Sequence, residues 1–177
     1  NAVSHNHNDV GVFVLHVDGE TLICDPERGL YDQYVFWGKD KVVFSNSYGH
    51  SVPVIANRLQ SEGKAYAGEI VAYDTGGETK EVAMRIEGAY KSVWGLDKAL
   101  RSLKLTPDGE LVLEDQIRLS RVALPVEEAI VTWLDTTVDG DRAVITGEKH
   151  DLALTIEAPE DAVFALEVLE EESKANN

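Results

Sequence analysis

The sequence predicts an all-β domain, a β-sandwich of two antiparallel sheets with little helix, and three features carry that expectation. Small turn pairs at Asp18-Gly19, Gly76-Gly77, Asp108-Gly109 and Asp139-Gly140 each separate apolar or alternating runs, as in β-hairpins. Period-two alternation recurs along the chain, which a sheet with one buried and one wetted face requires. Helical periodicity is weak everywhere except 161–174. At 177 residues the chain suits a single domain with a substantial core and is short for two.

Residues 10–17 are apolar and β-branched, and 20–25 return after Asp18-Gly19 to make a first hairpin. The first of these strands is apolar on both faces, so a buried central position is expected for it. A strand follows at 65–73. Residues 81–87 set Val82, Met84 and Ile86 against Glu81, Ala83, Arg85 and Glu87. Strands at 101–106 and 111–119 flank Asp108-Gly109, and further strands are expected at 129–135 and 142–146. Leu152, Leu154 and Ile156 then alternate with Asp151, Ala153, Thr155 and Glu157. Residues 162–169 close the series as a strand, and 170–177 are expected to be a disordered acidic tail. About ten strands need two packed sheets. Trp94 and Trp133 could stack on sugar rings, but they are at least as well placed to fill the core of the sandwich.

Acidic residues outnumber basic ones 32 to 16, for a formal charge of −16. That balance argues against nucleic acid and against anionic membrane surfaces, both of which need clustered Lys and Arg. No apolar run approaches the roughly 20 residues of a membrane-spanning helix, so no membrane insertion is expected. The start, Asn1-Ala2-Val3-Ser4, has neither a basic nor an apolar signal region and no initiator Met, and the chain is read as a piece of a longer protein. Its compartment stays open between periplasm or secretion and cytoplasm. With Cys24 alone there is no internal disulfide. Gly-x-Ser-x-Gly, phosphate-loop and dinucleotide fingerprints do not occur, which removes the serine-hydrolase, kinase and dinucleotide templates.

The densest group of chemically capable side chains is His5-Asn6-His7-Asn8-Asp9, directly before the first strand. In extended chain His5, His7 and Asp9 share a face. The first hairpin returns Asp25 to that end, and the polar loop Asn46-Ser47-Tyr48-Gly49-His50-Ser51 adds another imidazole. His7, Asp25 and His50 together make a two-imidazole, one-carboxylate set of the kind that suits zinc. Plainer readings stand beside this one. His5 and His7 sit near a chain end, Asp25-Pro26 is a common turn opening, and His50 is a loop histidine. Cys24 points away from Asp25's face and is read as core, His16 as packed or edge-facing, and His150 as a surface turn residue. Tyr31, Tyr34, Tyr48 and Trp37 are candidate sugar-stacking groups, and Asn6, Asn8, Arg28 and Tyr31 adjoin the histidine motifs as second-layer or substrate contacts.

The runs Ser4-His5-Asn6-His7-Asn8-Asp9-Val10-Gly11, Asp25-Pro26-Glu27-Arg28-Gly29-Leu30-Tyr31 and Asn46-Ser47-Tyr48-Gly49-His50-Ser51 resemble the C-terminal β-sandwich domain of the heparinase II/III family of polysaccharide lyases. The likeness extends through Gln60 and Gly63-Lys64-Ala65-Tyr66, and more faintly to Leu113-Glu114-Asp115. It implies a super-sandwich fold, joined in the same chain to an N-terminal α/α-toroid outside these residues. The implied activity is β-elimination on an acidic polysaccharide or oligosaccharide containing uronic acid, heparin- or alginate-like. In such a reaction the uronate carboxylate is neutralised, a base takes the C5 proton and an acid assists departure of the C4 oxygen. The resemblance makes His5 the catalytic histidine of this domain and His7, Asp25 and His50 the ligands of a structural zinc; Asn6, Tyr31 and Tyr48 are substrate-contact candidates from their place beside these motifs. The domain by itself is expected to be nearly inactive.

Two other classes compete with this expectation. A cupin-like metal-dependent enzyme also carries His-x-His on a β-scaffold, within a closed barrel around an open metal position. A non-catalytic carbohydrate-binding sandwich requires exposed aromatics and no contribution from His5.

Overall fold

A computed structural model describes residues 7–26, 43–120 and 123–169. The architecture is all-β: eleven strands lie among these residues with no α-helix, only two short 3₁₀ turns at Ser47–Gly49 and Glu87–Ala89. No described helix is long and apolar enough to cross a membrane. Strands β1 (Leu15–Val17) and β2 (Glu20–Ile23) form one sheet, and β3 (Val54–Ile55) pairs with β8 (Val126–Glu127) in a second. The largest sheet has the order β4 (Glu69–Asp74), β5 (Lys80–Arg85), β6 (Leu96–Leu105), β7 (Leu111–Leu119). In the fourth, β10 (Arg142–Thr146) lies between β9 (Asp135–Asp139) and β11 (Asp151–Thr155). Every pairing is antiparallel, consistent with an all-β sandwich.

All four turn pairs join consecutive antiparallel strands. At Asp18-Gly19 both residues have positive φ, 48° and 83°, so the two-residue loop twists with its strands and pairs Val17 with Glu20. The β6–β7 hairpin runs in register from Leu105↔Leu111 back through Arg101↔Asp115. One face of it enters the main core, where Ile55, Ile86, Ala89, Tyr90, Val93 and Ala99 are buried against Val10, Met84, Leu96, Ile117 and Leu119. On β10 the alternation works as written, with Ala143 and Ile145 buried between exposed Arg142 and Thr146.

Several expected elements differ. The first strand is confined to Leu15–Val17, pairs with β2 alone and is not a buried central strand; Val14 is 52% exposed. A turn closed by Val12 N–H on the Asp9 carbonyl, with Gly11 at φ +93°, bends the chain before any ladder can start. The expected strand at 129–135 is a loop that reaches β9 only at Asp135. Within it, the Thr132 hydroxyl takes the Leu134 N–H, and Thr136 donates back to the Leu134 carbonyl. The strands expected at 65–73 and 101–106 begin at Glu69 and at Leu96. Residues 162–169 belong to no sheet, although Phe164 N–H reaches the Gly140 carbonyl. Trp94 and Trp133, expected in the core, are 73% and 68% exposed. The expected tail at 170–177 lies outside the described residues.

Candidate functional site

His7, Asp25 and His50 are brought together by three segments that are not strands at the point of contact. His7 lies in the loop ahead of β1, Asp25 two residues past β2, and His50 directly after the 3₁₀ turn at Ser47–Gly49. The His7 and His50 rings are 5.2 Å apart, tilted by 40°. Asp25 Oδ1 is 2.5 Å from His50 Nδ1. A carboxylate accepts only, so Nδ1 is the donor, and in the neutral ring the lone pair is then on Nε2. Nε2 is fully buried and has no hydrogen-bond partner among the described residues. A buried imidazole nitrogen left in this state is either costly or intended for a ligand.

Electrostatics favour neutral imidazole beside it. Burial, then the neighbouring His50, pulls the His7 pKa down, against the opposing pull of Asp9 and Asp25. A neutral ring is the form that binds a metal ion. Among the described residues no three His, Cys, Asp or Glu side chains already converge as ligands. The donor set nonetheless fits zinc chemically, with the orphaned Nε2 and the His7 ring as nitrogen donors and Asp25 as the carboxylate beside them.

Side-chain bonds to backbone, with a few isolated backbone bonds, hold these loops in place of ladders. Asn8 is buried, and its N–H donates to the Ser45 carbonyl at 3.1 Å, joining the His7 loop to the His50 loop. Gln60 grips Val10 on both sides: Oε1 accepts from Val10 N–H at 2.9 Å and Nε2 donates to the Val10 carbonyl at 2.8 Å. The Gln60 N–H in turn donates to Ser47 Oγ at 2.9 Å. Tyr90, buried and with its pKa pushed up by burial, accepts from Gln60 Nε2 and donates to the Pro53 carbonyl at 2.5 Å. Val131 connects the other two ligand segments, accepting from Cys24 N–H and donating to Ser51 Oγ. Gly49 is required by close approach, since a Cβ there would stand 2.3 Å from the Val43 carbonyl oxygen.

Below the loops lies Arg101, on the core face of β6 and fully buried. Its Nε and Nη2 meet Asp115, Nη2 also meets Glu128, and Nη1 donates to the carbonyls of Gly11 at 2.9 Å and Ser51 at 2.7 Å. Burial opposes its charge, but the two carboxylates outweigh burial and hold the guanidinium above its usual value. Glu128, whose side chain is 33% exposed, has its pKa raised by partial burial and by Asp115 at its side.

Of the remaining sequence candidates, His5, Asn6, Arg28, Tyr31, Tyr34 and Trp37 lie outside the described residues. Tyr48 is half-buried, and its hydroxyl donates to Glu167 Oε2 at 2.5 Å, which raises its pKa. Cys24 is core, as expected, with its thiol pKa raised by burial. His16 is exposed and meets Thr21, and His150 is a surface residue beside Asp18. Sequence reasoning assigned no role to Arg101, Tyr90 or Glu128. Their signal was available in part, as an Arg at a core-facing position of an alternating strand whose hairpin register places Asp115 opposite it. No family model and no curated protein sequence matches the chain.

Proposed function

We propose that this chain is the metal-binding β-sandwich of a polysaccharide lyase of heparinase II/III type. His7 and His50, with Asp25 as their carboxylate partner, hold a structural zinc ion. His5 serves an active site completed by an α/α-toroid of the same chain, and the substrate is a uronic-acid-containing glycan. The observation that supports this reading best is the meeting of His7, Asp25 and His50 across 43 sequence positions, with a buried lone pair on His50 Nε2. Bound zinc supplies a fixed charge that ties three loops together; the chain's own residues orient the rings and keep water from Nε2. The surplus of negative charge favours a glycan less charged than heparin.

Metal content by elemental mass spectrometry, measured beside His7→Ala and His50→Ala, tests the centre. Near-stoichiometric zinc lost in both variants is the expected result, and a folded, metal-free wild type refutes it. A second reading, a glycan-binding sandwich without catalysis, draws on the exposure of Trp94 and Trp133. It requires glycan affinity that survives His5→Ala.

A further inference from the structure

We propose that Arg101 is the positioning residue of the His7–His50 pair, tying the two loops that carry these imidazoles through the carbonyls of Gly11 and Ser51. Its purpose rests on the reading of the pair as a metal centre, while the tie itself stands on the hydrogen bonds alone.

A guanidinium has five N–H donors in a planar fork. Here all are engaged: Nε and one Nη2 donor on Asp115, the other Nη2 donor on Glu128, and both Nη1 donors on the two carbonyls. The carboxylates come from β7 and from just past β8, so they fix the fork from behind and aim Nη1 at the loops. Ser51 directly follows His50, and Gly11 lies within the turn that begins two residues after His7. Neither 7–14 nor 50–53 is in a ladder, so beyond the single backbone bond from Asn8 N–H to the Ser45 carbonyl these segments are held by side chains. Gly11 is suited to its part by its φ of +93°, a backbone conformation that other residues rarely adopt. A fully buried guanidinium is a poor choice for stability alone, since apolar replacements of such clusters are often neutral or stabilising. Its geometry makes sense as a spacer that an ammonium, a point charge without the fork, does not replace.

The test compares wild type with Arg101→Lys, Asp115→Asn and Ile145→Val, the last a core variant on β10 that lowers stability without touching the tie. Nuclear Overhauser contacts between the His7 and His50 ring protons are read in metal-free protein. Zinc affinity is then read by competition with a chelator. Arg101→Lys and Asp115→Asn are expected to keep the β-type circular dichroism, to lose the ring-to-ring contacts and to weaken zinc by about tenfold or more. Ile145→Val is expected to keep both. Ring contacts that persist in Arg101→Lys, with zinc affinity within about twofold of wild type, overturn the proposal. So does their loss in Ile145→Val, because the pair would then follow global stability. If Arg101→Lys does not fold, Asp115→Asn, which retains the guanidinium, decides. If wild type takes up no zinc, the metal reading fails, and the ring contacts still decide whether Arg101 positions the pair.

Discussion

Gln60→Glu isolates the grip on the His7 loop with almost no change of shape. The introduced carboxyl retains the acceptor that meets Val10 N–H, but when ionised it has no donor for the Val10 carbonyl at 2.8 Å or for the Tyr90 hydroxyl at 3.2 Å. Tyr90 keeps its bond to Pro53, so the Val10 carbonyl is the group left stranded. A stranded buried acceptor costs about 1–3 kcal/mol, and the charge in a site where Gln60 is 5% exposed adds to it. The total is about 2–4 kcal/mol at neutral pH. For a domain of this size that corresponds to a fall of about 4–16 °C in melting temperature. Protonation restores one donor. The introduced carboxyl has its folded pKa raised, so its proton-linked stability is present below the ordinary Glu value and is lost as pH rises through the folded value. Urea titrations at pH 4.5 and pH 8 are the assay. The wild-type-minus-variant difference should be small at the lower pH and near its full size at the higher. A difference below about 0.5 kcal/mol at pH 8, or one independent of pH, refutes the assignment of Gln60 as the clasp.

Gly49→Ala sets a Cβ against the Val43 carbonyl, and the displacement should cost about 1–3 kcal/mol and carry His50 with it. Zinc uptake should fall as it does in His50→Ala while the circular dichroism stays β-type, and uptake equal to wild type counts against a fixed His50 loop. Glu128→Gln tests the buried cluster through pH. Because the folded Glu128 pKa is raised, its contribution is fully present below the unfolded value and is lost as pH rises through the folded one. The stability difference should therefore move in favour of the variant between pH 4 and pH 8, as read by denaturant titration, and a flat difference removes Glu128 from the cluster.

The hairpins were legible because their turns are local. Asp18-Gly19, Gly76-Gly77, Asp108-Gly109 and Asp139-Gly140 impose geometry on their neighbours without help from the rest of the chain. β7 and β10 were legible to the residue, since Leu111–Leu119 and Arg142–Thr146 alternate or lie between clear turns. Residues 10–14 and 129–134 were not. Both are as apolar as strands, but their backbone groups are taken by Gln60, by the Ser51 hydroxyl and by local threonines, partners that composition does not reveal. The two tryptophans failed for a related reason, because hydrophobicity ranks a residue for burial without saying which face of the fold it reaches. At the site, His7, Asp25 and His50 were legible as residue types with ligand chemistry, but Asp25-Pro26 reads as well as a turn opening, and it was the family resemblance that implied their meeting. The layer beneath them was not, because a Gln, a Tyr and an Arg gain meaning only once non-local contacts put carbonyls in front of them.

That layer also explains how a loop-built site can be rigid. Strand ladders fix backbone to backbone at regular intervals, but they present side chains only on two flat faces. Converging three side chains from residues 7, 25 and 50 needs backbones that turn toward one another, and such turns leave carbonyls and N–H groups without ladder partners. Gln60, Tyr90 and Ser51, from loops, and Arg101, from β6, supply those partners. Precision at the site is therefore inherited from buried polar residues that tie loop to loop and, through Arg101, loop to β6, at the cost of a charged cluster in the core. The consequence is an ordering of sensitivities. Apolar changes such as Ile145→Val lower stability and leave the imidazole pair intact, whereas small polar changes at Gln60 or Asp115 alter the pair before the fold is lost.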